Sequence, residues 1–442
     1  MTPSLSRRRT VLAAALPAAL LAACGSQPAS DSAPAKRAQP VTLRYLGPLT
    51  VTPANTFAES INKVVDSFNA KGTGITVKPE EPRNLAEGIL AQVASGDPPD
   101  IVHSHPRDYL PYVDAVREID DLIKQDKKVS PDILPLALDY WLRNGKRMGM
   151  PNNLSVQSIY FNKALFDKHG LKTPDVLEKE GKWTWDAYLD AARRITTGTG
   201  DNKIWGAPWT SNGMDIHLGY IWPMGGDLWD KDGGTVLLDR PDTLAAIQYM
   251  ADLSAKLGVS PTRQEQGILP RSTGGALAIE RGGMEVLTND VIALLNPTTF
   301  PKGHAPMPKG KAGRVIRGVT VGLSLIKDSK KTDANWEYAM YQSGPEGEQV
   351  MLDYKLTTPW RKSRANSAEW AKFLNPWENL AFYQDSLKAV KPTIYPIMFN
   401  QIRTLYSAEY DKVRDGNQTA VQAITTIKSQ VQELLKQGAA PK

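Results

Sequence analysis

Between positions 103 and 109 the chain reads His-Ser-His-Pro-Arg-Asp-Tyr, and every residue but the proline carries a side chain that can hydrogen-bond. Such a cluster suits a polar ligand rich in hydroxyls, because Asp and Arg can each grip two neighbouring oxygens while His and Ser both donate and accept. It does not suit a metal. His103-x-His105 supplies two ligands, and neither an HExxH pattern nor a third partner follows in the sequence. Asp230 to Gly234 lacks the downstream glutamate that a calcium loop needs and reads as a turn. A nucleophile elbow and a phosphate-cradling Walker loop are absent as well. The residue types therefore point to recognition, with no metal and no cofactor.

The elements around this cluster follow an α/β pattern. Val41 to Leu46 is a strand, and Phe57, Ile61, Val64, Val65 and Phe68 recur at helical spacing until Gly72. Ile75 to Val77, the helix from Leu85 to Val93 and the short strand Asp100 to Val102 complete a strand–helix–strand–helix–strand series. Such a series builds a mostly parallel sheet covered on both faces, with ligands beyond the carboxyl ends of its strands. The 103–109 loop lies at that edge.

The stretch from Asp139 to Phe166 marks a change of layer. Asn144-Gly145 signals a tight hairpin, and Pro151 ends the pairing because it has no N–H to donate. Asn152 and Asn153 make a polar corner, after which Val156, Ser158 and Tyr160 alternate and Asn162 caps a helix. Two further corners, Thr288-Asn289-Asp290 and the segment around Gly318 and Gly322, resemble it. Three such corners predict three crossings between two α/β units. Thr184-Trp185-Asp186 opens a helix in the second unit, and the capping box at Thr419 to Gln422 starts a last amphipathic one.

Composition bounds the class. The chain has 442 residues, 41% hydrophobic and 23% charged, which suits two or three soluble domains. Its N-terminus carries a basic head, Arg7-Arg8-Arg9, and an apolar run to Ala23 that is short for a membrane span. Both the general secretory and the twin-arginine routes fit it. Loss of those three arginines takes the formal charge from +6 to +3, too small to suggest nucleic acid. Cys24 is the single cysteine, so no intramolecular disulfide can form. Residues 25–40 are small, polar and proline-rich, a tether.

These features together resemble family 1 extracellular solute-binding proteins, the sugar-binding lipoproteins of ABC importers, related to the maltose- and glycerol-3-phosphate-binding groups. The resemblance runs in order through Ala94 to Val102, Asn144-Gly145-Lys146 with Pro151, Ile159 to Lys163, Trp183 to Asp186, Gly225-Gly226, Ala276 to Met284, Ala305 to Pro308 and Ser343 to Val350. Leu21-Ala22-Ala23-Cys24 resembles a lipobox, which implies lipidation at Cys24. The implied fold is a two-lobed periplasmic-binding-protein type II fold of mostly parallel sheets, with a cleft between the lobes and two or three hinge crossings. The implied layout is a signal peptide over 1–23, a tether over 24–40, one lobe from 41–151 and 288–320, and the other from 152–287 and 321–442.

Carried over by position, the resemblance places His103, His105, Arg107 and Asp108 in the cleft, with Asn152, Asn153 and Ser155 at the first hinge. It adds Asp215, His217 and Trp222, then Asn289 and Asp290, then Gly318, Val319 and Thr320, and finally Trp360 and Arg361. Trp222 and Trp360 are the expected stacking faces for a pyranose, while Trp183, Trp185, Trp205 and Trp336 are expected in the core. The implied function is capture of a sugar, or a related polyol or sugar phosphate, and its delivery to a membrane permease. The implied protein is monomeric, not an enzyme, and anchored by lipid to the outer face of the membrane. The alternative class is a secreted glycoside hydrolase, since tryptophans and carboxylates serve that chemistry too.

Overall fold

The computed structural model describes residues 39–47, 56–209, 211–269 and 275–439. The signal segment, Cys24 and the tether through position 38 lie outside the described residues.

The strands, in chain order, are β1 (Val41–Leu46), β2 (Ile75–Glu80), β3 (Ile101–Ser104), β4 (Leu142–Arg143), β5 (Lys146–Arg147), β6 (Met150–Pro151), β7 (Ser155–Asn162), β8 (Met284–Thr288), β9 (Lys302–Pro306), β10 (Ile316–Val319), β11 (Gly322–Leu325) and β12 (Val390–Lys391). The first sheet has the order β2-β1-β3-β11-β6. Its β2-β1-β3 half is parallel, as the strand–helix alternation predicts, and β11 runs antiparallel to both neighbours. The second sheet has the order β12-β10-β7-β8, with β9 also on β7. Here the expectation of mostly parallel sheets fails: β7 is antiparallel to β8, β9 and β10, and only β10 with β12 is parallel. Residues 163–283, which include the helices Trp185–Ile195 and Pro241–Ala255, separate β7 from β8, and the chain re-enters the sheet beside β7 in the opposite direction. Every residue of β7 is buried, as a central strand covered on both faces must be.

Local signals read from the sequence hold. Asn144 and Gly145 take φ of 48° and 77°, the left-handed pair of a tight hairpin between β4 and β5. Asn162 accepts from the Ala164 amide at 3.0 Å and starts the next helix. Thr419 and Gln422 hydrogen-bond reciprocally as a capping box. In the helix Trp185–Ile195, Trp185, Tyr188, Ala191, Ala192 and Ile195 form one buried face.

The chain passes from the first sheet to the second through residues 152–154, and back from the second to the first through 320–321. The corner at 288–290 is different. It is flanked by β8 and β9, both in the second sheet, and so does not cross. Consequently β9 and β10 belong to the second sheet, although 288–320 was expected in the first lobe. Conversely β11 and the helices Thr332–Ser343 and Pro345–Asp353 pack with the first sheet and with the helix Thr56–Asn69, although 321–442 was expected in the second. The return lies between Arg361, still bridged to Ile133, and the helix Leu380–Lys388, which packs on β7 and β9. A corner's polarity marks a bend, and only strand pairing shows which sheet receives the next segment.

Candidate functional site: a charged cluster between the two sheets

β3 ends at the loop that carries His105, Arg107 and Asp108, and this loop meets side chains of the second lobe. Arg107 Nη1 lies 2.7 Å from Asp215 Oδ2, and Arg317 Nη2, from β10, lies 2.8 Å from the same oxygen. Tyr395 donates towards it at 3.4 Å. The His105 ring stands edge-on to Tyr395 with centroids 5.3 Å apart. Its Nδ1 accepts from the Arg107 backbone amide at 3.1 Å, which leaves the proton on Nε2. Arg107 Nε is 3.4 Å from Asp108 Oδ1.

Asp215 has only 1% of its side chain exposed. Burial would push its carboxyl upward, but Arg317 and Arg107 outweigh that and hold it well below the usual carboxylate range. Burial, then the charge of Arg107, keeps His105 neutral by lowering its pKa well below the ordinary value. Arg403, on the helix Phe399–Arg414, acts on His105 and Asp108 electrostatically from the second lobe. This arrangement can grip polar oxygens, and it has no nucleophile–base pair.

Of the residues expected at a cleft, His105, Arg107, Asp108 and Asp215 come together. Of those at the three corners, Thr320, Asn153 and Asn289 hold backbone instead. Thr320 Oγ1 donates to the Asn153 carbonyl at 2.7 Å, and Asn153 Nδ2 donates to the Leu356 carbonyl at 2.9 Å. Ser155 Oγ leans on Asn153 at 3.4 Å, and Asn289 Oδ1 accepts from the Val156 amide at 3.0 Å. His103 Nε2 sits 3.2 Å from Asn152 Oδ1, and burial lowers its pKa to about 4. Asn152 Nδ2 and Asp290 Oδ1 are buried without partners. Val319 pairs with Ser155, and a Cβ on Gly318 would stand 2.7 Å from the Tyr140 hydroxyl, which explains the glycine.

Four expected site residues are placed elsewhere. Trp360 is fully buried and donates its Nε1 to the Ser343 carbonyl at 2.8 Å, so its ring is core of the first lobe. Arg361 is tied to Asp132 at 2.7 Å and Glu348 at 3.3 Å in the same lobe. His217 is fully buried between Tyr406, at 2.7 Å, and the Ser211 carbonyl, at 3.2 Å. Trp222 is buried, donates to Asp227 at 2.9 Å and has Lys391 over its ring at 4.8 Å. Each looked free in one dimension because its partner lies far away in sequence or on another element.

The reading missed Arg317, Tyr395 and Arg403. Arg317 stood next to the glycine of a recognised corner. Tyr395 stood in Pro392-Thr393-Ile394-Tyr395-Pro396, a proline-bracketed segment typical of a shaped loop. A groove of about 1310 Å³ adjoins the cluster, lined by Pro106, Tyr109 and Tyr140 on one side and by Ile394, Tyr395 and Leu435 on the other. Among the described residues no group of three or more potential metal ligands assembles, and no helix is long and apolar enough to cross a membrane.

Comparison with known proteins agrees with this architecture. The structure is similar to an ABC substrate-binding protein of Listeria monocytogenes solved with cycloalternan, with TM-score 0.76, 18% identity and coverage of 90% of this chain and 100% of that one. It is also similar to the sugar-binding protein MalE of Xanthomonas citri, with TM-score 0.74, 18% identity and coverage of 90% and 98%. These likenesses show the two-lobed binding-protein fold. A curated binding protein of Brucella abortus is 24% identical over 314 residues, 68% of this chain and 69% of its own length. The model of bacterial extracellular solute-binding proteins matches residues 54–349, two thirds of the sequence, and the chain belongs to that family.

Proposed function

We propose that the protein captures a carbohydrate between its two lobes and delivers it to the permease of an ABC importer; its structural relatives include an ABC substrate-binding protein solved with cycloalternan and a sugar-binding protein. The observation that carries this reading is the meeting of His105 and Arg107 from the first lobe with Asp215, Arg317 and Tyr395 from the second. A ligand held there touches both lobes, so it favours their approach by its difference in affinity for the two states. The permease then reads a surface that exists only when the binder is loaded. The protein works without catalysis, as a monomer, and it is held on the outer face of the membrane through Cys24.

Calorimetry and thermal shift against a carbohydrate panel test this. A cognate sugar is expected to bind with a dissociation constant of roughly 1 μM, about −8 kcal/mol. At 100 times that constant it raises stability by about 2.7 kcal/mol. Analysis of the recovered sugar should show it intact. Turnover beyond one equivalent would move the protein to the hydrolase class.

A further inference from the structure

The cluster holds more N–H donors than its own acceptors occupy. Each guanidinium carries five N–H groups, yet Arg107 and Arg317 each make one side-chain hydrogen bond, and both go to Asp215 Oδ2. Arg317 is 4% exposed and His105 is 7% exposed, so water does not freely replace the missing acceptors. Arg317 Nε and His105 Nε2 are both buried with no partner. Because His105 Nδ1 already accepts from the Arg107 amide, its Nε2 is a donor. Arg403 adds a third guanidinium, one helical turn past Phe399, whose ring packs 4.9 Å from that of Tyr395; it makes no hydrogen bond or ion pair with any described residue, and its charge reaches His105 and Asp108.

The carboxylates nearby do not cancel this excess. Asp215 is committed to Arg107, Arg317 and Tyr395. Asp108 is half exposed and faces Arg107. Asp290 is partly exposed; its Oδ1 is buried and unbonded, and burial raises its pKa against the lowering effect of Arg317. A buried donor without an acceptor keeps its full desolvation penalty. A neutral sugar hydroxyl would offset part of that while bringing a further hydrogen that needs an acceptor. An oxyanion brings acceptors only, and guanidinium groups take it in their paired geometry.

Resting on the carbohydrate reading above, we infer that the bound sugar is acidic: it presents a carboxylate or phosphate to Arg317, His105 Nε2 and Arg403 beside the Arg107–Asp215 pair. This makes Arg403 and Arg317 specificity-determining residues, with Asp215 positioning the two guanidinium groups it joins.

The test is calorimetry on the whole protein with matched probes. Galacturonate and glucuronate, with their di- and trimers, are compared with the corresponding neutral sugars and with the hexose 6-phosphates. At least one acidic probe is expected to bind at least tenfold more tightly than its neutral match. The uronate and phosphate arms separate the two sources of the oxyanion. Arg403→Gln is expected to weaken the acidic probe at least tenfold, and Arg403→Lys to recover part of that loss. Circular dichroism melting checks that both variants fold, which the absence of native partners for Arg403 favours. Equal or tighter binding of the neutral matches overturns the inference and leaves the carbohydrate reading standing. Acidic binding that ignores Arg403→Gln overturns the assigned residues. Silence towards every acidic probe overturns the inference, and silence towards the neutral panel as well removes the carbohydrate reading with it.

Discussion

Arg107 and Asp215 are 108 residues apart in sequence and 2.7 Å apart in space, one on the loop after β3 and the other in the second lobe. Their bond ties the two lobes directly, and Arg317 shares the same carboxylate oxygen. Removing the carboxylate leaves Arg317 buried and unpaired. Asp215→Ala is therefore expected to destabilise the protein by about 3–5 kcal/mol in urea denaturation. A loss under about 1 kcal/mol would show that the guanidinium groups find other acceptors.

The same residue has a pH signature. Its folded pKa is depressed, so the stability it contributes is present above the unfolded value and disappears as pH falls through the folded one. The urea midpoint of the native protein should decline on acidification below about pH 4, near the unfolded carboxylate value. In a protein with Asp215→Asn that part of the decline should be weaker.

Buried histidines act at higher pH. Burial lowers His103 and His217 to about 4 and His304 to about 3. Between those values and about 6.5 the unfolded chain binds more protons than the folded one, so stability rises with pH across that window. By pH 5 each contributes a loss of about 2 kcal/mol relative to pH 7. A urea midpoint that stays constant from pH 7 to pH 5 would contradict the buried, neutral state of all three.

Trp360 separates core from cleft. With its indole buried and bonded to Ser343, Trp360→Ala should reduce stability by about 3–5 kcal/mol. The folded fraction should retain its affinity for the carbohydrate. A variant that melts normally but binds more weakly would return this residue to the cleft.

Cys24 tests the proposed anchor, since Leu21 to Cys24 resembles a lipobox and the residues after it are small, polar and proline-rich. Cys24→Ala should shift the protein from the membrane to the soluble fraction in cell fractionation. Undiminished membrane association in that variant rules out lipid attachment at this residue.

What sequence alone determined here is local, or depends on the order of short motifs. The Asn144-Gly145 turn, the Asn162 cap and the Thr419–Gln422 capping box are set by interactions within a few residues, and they form as read. The parallel half of the first sheet follows from alternating strands and helices joined by short loops, and the ordered motifs marked a two-lobed binding protein. Position at the carboxyl end of β3 likewise placed His105, Arg107 and Asp108 in the charged cluster around Asp215. Tertiary structure decided which polar and aromatic side chains are free to meet a ligand. Trp222 is covered by Lys391, 169 positions later, and His217 is locked by Tyr406, 189 positions later. Arg317 and Tyr395 reach the site only because β10 and the loop after β12 fold back onto Asp215. A side chain's availability depends on what packs against it, and in this chain those partners come from distant segments that carry no local signal of their meeting.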